Sequence, residues 1–282
     1  MVIDFHSHTF FSDGLLLLAA ILILISASAG LAQLTDEDIS RRPFWEKFLS
    51  RAKVAGAEDI GEGVTRPKKL RLKRDEVEAF AVWKRPTGTG ADLLDKWEHE
   101  IAAYRLDKLL GLNMVPPTIE RSYHGYVGSL QLWVDSPYNE LKLLKDKISV
   151  PPEKKELYDK AKSLQRAFDS LIANADRTLQ NLRSTQDWRM ILIDHSQSFR
   201  DTAPYAGRLI YACGDDPSRP GISRLPRGFV DKMRALTYEK IRAAVENYLT
   251  SSEITEVLVR RDLLLKEIEA LIKDRSEAFI LY

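Results

Sequence analysis

Phe168-Asp169-Ser170-Leu171-Ile172-Ala173-Asn174-Ala175-Asp176-Arg177-Thr178-Leu179-Gln180-Asn181-Leu182, followed by Ile191-Leu192-Ile193-Asp194-His195-Ser196, decides how the rest of this 282-residue chain is read. Leu157, Ala161, Leu164, Phe168 and Leu171 recur at helical spacing and the stripe closes at Asn174, so Asp176 falls in the loop that follows a helix. Met190 to Ile193 reads as a short strand with Asp194 at its end. Asp and Asn after a helix are common turn formers, and taken alone Asp176 and Asn181 need be no more. Asp194 is harder to set aside, because a carboxylate at the end of an Ile-Leu-Ile strand is partly desolvated and wants a cation. Two carboxylates and an amide at this spacing suit a site that holds a divalent metal against phosphate and orients a hydroxyl.

Working toward the N-terminus, the chain supplies groups that such a site would use. Ile60-Gly61-Glu62-Gly63-Val64-Thr65 leads into Lys69 to Lys73, whose alternation predicts a strand, and Glu78 to Lys84 predicts another, in a glycine-turned meander. Phe80, Val82 and Lys84 then share one face, with Lys84 at its end, while Ala79, Ala81 and Trp83 share the other. Gly61 and Gly63 could lay backbone N–H groups over phosphates, and Lys84 could reach the same groups. A snorkelling surface lysine is the plain alternative for Lys84. Leu94, Trp97, Ile101 and Tyr104 predict an amphipathic helix from Ala91 to Leu110, stopped by Gly111, on which Glu98 and Glu100 both flank the apolar stripe. Val115-Pro116-Pro117 forces an extended exit, and two strands follow, Thr118 to Tyr123 and Tyr126 to Val134, turned at His124-Gly125.

Glu100-Ile101-Ala102-Ala103-Tyr104-Arg105-Leu106-Asp107-Lys108-Leu109-Leu110 with Val115-Pro116-Pro117-Thr118 resembles the secretory-pathway kinases, the Golgi casein kinase and Four-jointed group. Asn174-Ala175-Asp176-Arg177 with Asn181, and Ile193-Asp194-His195, are similar to phosphatidylinositol-kinase-like and HipA-type kinases. The resemblance spans roughly residues 55 to 200. It implies Lys84 on the α- and β-phosphates of ATP, Glu100 rather than Glu98 as the anchor of Lys84, Asp176 as the catalytic residue, and Asn181 and Asp194 on Mg²⁺ or Mn²⁺. Two features depart from it. The chain has a single cysteine, Cys213, where the secretory group is cysteine-rich, which suggests a distant bacterial-type relative; and His195-Ser196 stands where ordinary kinases carry Phe-Gly after the metal-binding Asp.

The N-terminus carries different signals. Asp4-Phe5-His6-Ser7-His8-Thr9-Phe10-Phe11-Ser12-Asp13-Gly14 resembles the opening metal-binding motif of PHP (polymerase and histidinol phosphatase) metal-dependent phosphoesterases, with His6 and His8 on one face of a strand. The other histidines, His99, His124 and His195, stand in no further motif of that family. Residues 1–14 are therefore expected to be a fragment ahead of the true start, a working phosphoesterase being the minor alternative. Leu15 to Ala32 is uncharged, and its apolar run ending in Ala27-Ser28-Ala29-Gly30-Leu31-Ala32 has the pattern of a cleavable secretory signal, cut after Ala29 or Ala32. Arg41, Arg42 and Lys47 behind it favour a retained anchor instead.

Forty-two Lys and Arg against 41 Asp and Glu leave a net charge of +1, too even to steer the chain to nucleic acid. A lone cysteine makes neither an intrachain disulfide nor a structural zinc site. The expected class is α+β, a two-lobed protein-kinase-like fold: a helical segment at 33–54, a strand-rich N-lobe at 55–135 and a helical C-lobe at 136–282. The expected function is transfer of the ATP γ-phosphate to a hydroxyl of a protein, sugar or lipid, with a nucleotide-binding pseudokinase as the alternative. The expected location is exported, periplasmic or secreted, or membrane-anchored through residues 15–32.

Overall fold

In the computed structural model of the chain, residues 35–61, 67–86, 95–211 and 221–282 are described. The PHP-like stretch, the hydrophobic segment, Gly63 and Cys213 lie outside them. Thr35 opens the first helix, α1 (Asp36–Ser40), with a capping box: its hydroxyl accepts from the Asp38 N–H at 3.1 Å and its own N–H donates to the Asp38 carboxylate at 3.0 Å. Pro43 does not interrupt a helix. It occupies the first turn of a second helix, α2 (Arg42–Arg51), where a missing N–H removes no helical bond.

A five-stranded antiparallel sheet follows, in spatial order β1-β2-β3-β5-β4: β1 (Lys53–Asp59), β2 (Lys68–Arg74), β3 (Val77–Lys84), β4 (Thr118–Tyr123) and β5 (Tyr126–Leu132). The strand pattern separates two faces. Leu70, Leu72, Ala81 and Leu130 pack with Phe48 and Leu49 of α2 into a small core, whereas Val82 and Lys84 turn to the other side. β5 pairs with the end of β3 so closely that a Cβ on Gly128 would lie 2.4 Å from the Lys84 carbonyl oxygen, a position only glycine can hold. The backbone that carries Lys84 is thereby fixed.

Helix α3 (Trp97–Leu110) crosses behind this sheet and ends at Gly111, whose φ of +71° and N–H bond to the Asp107 carbonyl form the left-handed stop. Asp107 is fully buried, and its carboxylate accepts from Arg42 at 2.9 Å and from the N–H groups of Met114 and Val115 at 2.8 and 3.0 Å. Burial pushes its carboxyl up, while Arg42 and the two N–H donors pull the other way. One side chain thus holds α2, the end of α3 and the start of the Val115-Pro116-Pro117 exit together.

The second part is helical, with α4 (Glu140–Lys145), α5 (Pro152–Leu171), α6 (Arg227–Arg234), α7 (Tyr238–Val245), α8 (Ser251–Arg275) and α9 (Glu277–Ile280) around a larger core. A three-stranded sheet of β6 (Tyr138–Asn139), β7 (Leu182–Ser184) and β8 (Met190–Leu192) lies at its upper edge. Val257, Leu264, Ile268 and Leu271 of α8 are buried in that core, as their spacing implies. α6 and α7 are two helices rather than one, because the Thr237 hydroxyl accepts from the Lys240 N–H and restarts the chain as α7. A small strand-rich lobe and a helical lobe make the fold α+β. No helix among the described residues is long and apolar enough to cross a membrane.

Replacing Arg42 with Met would leave the Asp107 carboxylate buried without a cation. The expected loss is about 3 kcal/mol, read from the midpoint of urea unfolding at constant m-value.

Candidate active site

Between the two lobes lies a cleft of about 370 Å³. Val82 and Lys84 line it from the sheet, Leu132, Trp133, Val134 and Ser136 from the end of β5 and the segment that links the lobes, and Asp176, Asn181, Ile191, Ile193 and Asp194 from below. Five residues singled out in the sequence meet at one end of it or just behind it. Lys84 Nζ donates to Glu100 Oε1 at 2.7 Å and to Asp194 Oδ1 at 2.9 Å, so a strand of one lobe, a helix behind it and a loop of the other lobe converge on one ammonium. Glu100, not Glu98, faces Lys84. Burial alone would lower the Lys84 ammonium, but Glu100 and Asp194 overturn that and raise it. Burial alone would raise the Glu100 carboxyl, and Lys84 with His195 holds it well below the usual carboxylate range instead.

Asp194 stands at φ +63°, a left-handed turn two residues after β8 that an L-residue adopts at some cost. The turn aims its carboxylate into the cleft while the next N–H, of His195, donates to Glu100 Oε2 at 3.0 Å. Glu100 therefore holds the lysine with one oxygen and the loop with the other. Asn181 Nδ2 donates to Asp194 Oδ2 at 3.1 Å, and since a carboxylate only accepts, this fixes the amide so that Asn181 Oδ1 remains for another partner. Asp176 is half-buried in the same cleft. Burial raises its carboxyl, and the negative charges of Asp194 and Asp95 raise it further. A carbonyl oxygen beside carboxylates that repel one another is a donor set that suits Mg²⁺ or Mn²⁺.

Gly61 marks the turn from β1 into β2, at φ +71° and with open space around it; Gly63 is outside the described residues. Residues without an assigned task in the sequence prove to organise the site. Arg177, with its side chain 4% exposed, makes a forked pair with the fully buried Asp169 at 2.8 and 2.9 Å. Its guanidinium also donates to the carbonyls of Asn181 and of Ile193, the residue before Asp194, and to His195 Nε2 at 3.0 Å. His195, fully buried, thus stands between Arg177 and Glu100. The only sequence signal was the spacing of Asp169 and Arg177 across the helix end.

The loop beyond Asp194 is tied back to α3. Ser196 Oγ donates to Asp95 at 2.6 Å, and the Ser196 carbonyl accepts from the Lys96 N–H and His99 Nδ1. His99 Nε2 and Lys96 Nζ in turn meet Glu253 of the α8 capping box at 3.0 and 2.7 Å. Burial would raise the Glu253 carboxyl, but His99 and Lys96 hold it near 2.

No family model matches the chain, and no curated protein matches it in sequence. Solved structures do match its fold. A Fam20 of hydra, determined with sugar, superposes with a TM-score of 0.62 at 16% identity, covering 91% of this chain and 95% of that one. The Golgi casein kinase with Mn and ADP bound gives 0.60 at 15% identity, covering 89% and 80%. The proinflammatory kinase CtkA of Helicobacter pylori gives 0.51 at 12%, covering 81% and 96%. The chain therefore has the two-lobed fold of these atypical kinases.

Two outcomes follow from the charge arrangement. Because the Asp176 carboxyl is raised in the folded chain, its contribution to stability is full below the unfolded carboxylate range and is lost as pH rises through the folded value. Asp176→Asn should accordingly raise Tm at pH 7 in chelator, with the gain shrinking toward pH 4, by thermal denaturation. Arg177→Lys keeps the charge but not the fork, and should cost about 2 kcal/mol in urea unfolding.

Proposed function

We propose that this chain is an atypical kinase that binds ATP with Mg²⁺ or Mn²⁺ and transfers the γ-phosphate to a hydroxyl group. The observation that carries the reading is the single ammonium of Lys84 between Glu100 and Asp194, with Asn181 on the second oxygen of Asp194. The Mn and ADP in the Golgi casein kinase structure support a nucleotide and a divalent metal as its ligands.

Lys84 would exchange part of its contact with Asp194 for the α- and β-phosphates, Glu100 keeping it aimed. Asn181 Oδ1 and an Asp194 oxygen would hold the metal. When bound, the cation supplies charge neutralisation on the transferring phosphoryl group. Asp176 would accept the proton of the acceptor hydroxyl as that oxygen bonds to the γ-phosphorus and the bond to the β–γ bridging oxygen breaks. The raised Asp176 carboxyl makes it a better base than an ordinary aspartate. Backbone N–H groups at Gly61 and Gly63, glycines that the sequence places ahead of the second strand, would cover the phosphates. Protein, sugar and lipid hydroxyls all fit the acceptor side, and the sugar in the hydra Fam20 structure favours including sugars in any acceptor panel. Residues 15–32, read as a leader or anchor, support export or membrane attachment.

Isothermal titration with ATP and Mg²⁺ or Mn²⁺ should show metal-dependent binding that Asp194→Ala abolishes; binding that needs no metal, or that survives Asp194→Ala, would sink the reading. With radiolabelled ATP and casein, sugar and lipid acceptors, Asp176→Ala should keep ATP binding within a few-fold and cut transfer by roughly 10²-fold or more. Binding with no transfer by the wild type to any acceptor would favour a nucleotide-binding scaffold.

A further inference from the structure

We infer that Gln131, locked by Thr118, selects a 6-aminopurine over a 6-oxopurine, so that this chain takes adenine and rejects hypoxanthine and guanine nucleotides. The inference rests on the nucleotide-binding reading of the cleft and concerns its opposite end. Lys84, Asn181 and Asp194 mark the phosphate side. Strand pairing sets Gln131 opposite Val82 and two residues from Ser129, the partner of Lys84, so Gln131 lies on the cleft face about 7 Å farther along the strands. There the lining is Val82, Leu132, Trp133, Val134 and Ile191, the flat apolar setting a base requires.

Gln131 is 7% exposed and reaches this surface with one polar end only. Which end is settled by a chain of bonds whose direction cannot be reversed. The Pro116 carbonyl can only accept, so the Thr118 hydroxyl, 2.8 Å away, donates to it. Having spent its proton there, Thr118 Oγ1 offers a lone pair to Gln131, its cross-strand partner, at 2.9 Å. Gln131 must answer with its NH₂ group. Its carbonyl oxygen is left over, and no described residue donates to it. Pro116 is itself held in place, since the preceding Val115 N–H is anchored on buried Asp107.

A lone acceptor in a nearly dry wall recognises a donor. The 6-amino group of adenine is one; the 6-oxo group of hypoxanthine or guanine sets oxygen against oxygen and leaves both unpaired. Were the amide free to turn, it could serve either base. Thr118 removes that freedom, which makes it a positioning residue for nucleotide choice although it does not touch the base.

The test is isothermal titration of the full chain with ATP and with ITP, which differ at this edge of the base and share the triphosphate, in Mg²⁺ or Mn²⁺. Wild type should bind ATP at least about tenfold more tightly than ITP. Thr118→Val frees the amide to turn, and the ratio should fall to within about threefold or invert. Gln131→Met keeps the volume without the acceptor and should bring the two nucleotides to near parity by weakening ATP. Circular dichroism checks that each variant folds, and Gln131→Met alone suffices if Thr118→Val does not. Equal binding of ATP and ITP by wild type, or a preference that persists in the folded variants, overturns the inference and leaves the kinase reading intact. Binding of neither triphosphate overturns both.

Discussion

A buried guanidinium must find an acceptor for nearly every N–H, and Arg177 meets that demand only when the site is assembled. Two of its bonds go to Asp169 on α5, and the rest reach the carbonyls of Asn181 and Ile193 and the ring of His195. Those acceptors belong to the two segments that carry Asn181 and Asp194. Asp169 is further surrounded by Gln165 and Asn174, so the anchoring carboxylate is itself saturated. Loss of any one partner leaves charge or donors stranded away from water, which is far more costly than the pair is beneficial. Cooperative closure of this network keeps the loop from Asp176 to Asn181 in register with Asp194.

The second constraint joins the lobes. Glu100 is 1% exposed and uses one oxygen for Lys84 and the other for the His195 N–H, so the lysine, α3 and the loop after β8 have one common fastening. The positive φ of Asp194 is sustained by these bonds on either side of it. Ser196, bound to Asp95, Lys96 and His99, continues the seam, and Glu253 carries it to the last long helix. His195-Ser196, directly after Asp194, is stitched into place by directional hydrogen bonds.

Strands and helices with strong periodicity were legible from the residues. The β4–β5 hairpin turned at His124-Gly125, the stop at Gly111, the Thr35 capping box and the α8 stripe all follow from local patterns. β1 was not legible: Lys53–Asp59 is exposed along nearly its whole length, so it shows no alternation of apolar and polar residues, and pairing with β2 alone defines it. β6 and β7 are two and three residues long, too short for any period. The helix boundaries at Pro43 and Thr237 were not legible either, because a helix start and a helix break use the same residues, and only the neighbouring hydrogen bonds distinguish them.

For the site, the sequence by itself determined the chemical inventory and its order: a lysine at a strand end, a glutamate on a helix, then Asp, Asn and Asp around a short strand. Types and spacings are local quantities, and local rules read them. Only the tertiary structure decided that Glu100 gives its second oxygen to the His195 N–H, that Arg177 and Asp169 hold the loop, and that Thr118 dictates which atom of Gln131 faces the cleft. Each of those depends on where a buried donor finds its acceptor in space, and hydrogen-bond satisfaction in a dry interior is a condition that no pattern along the sequence expresses.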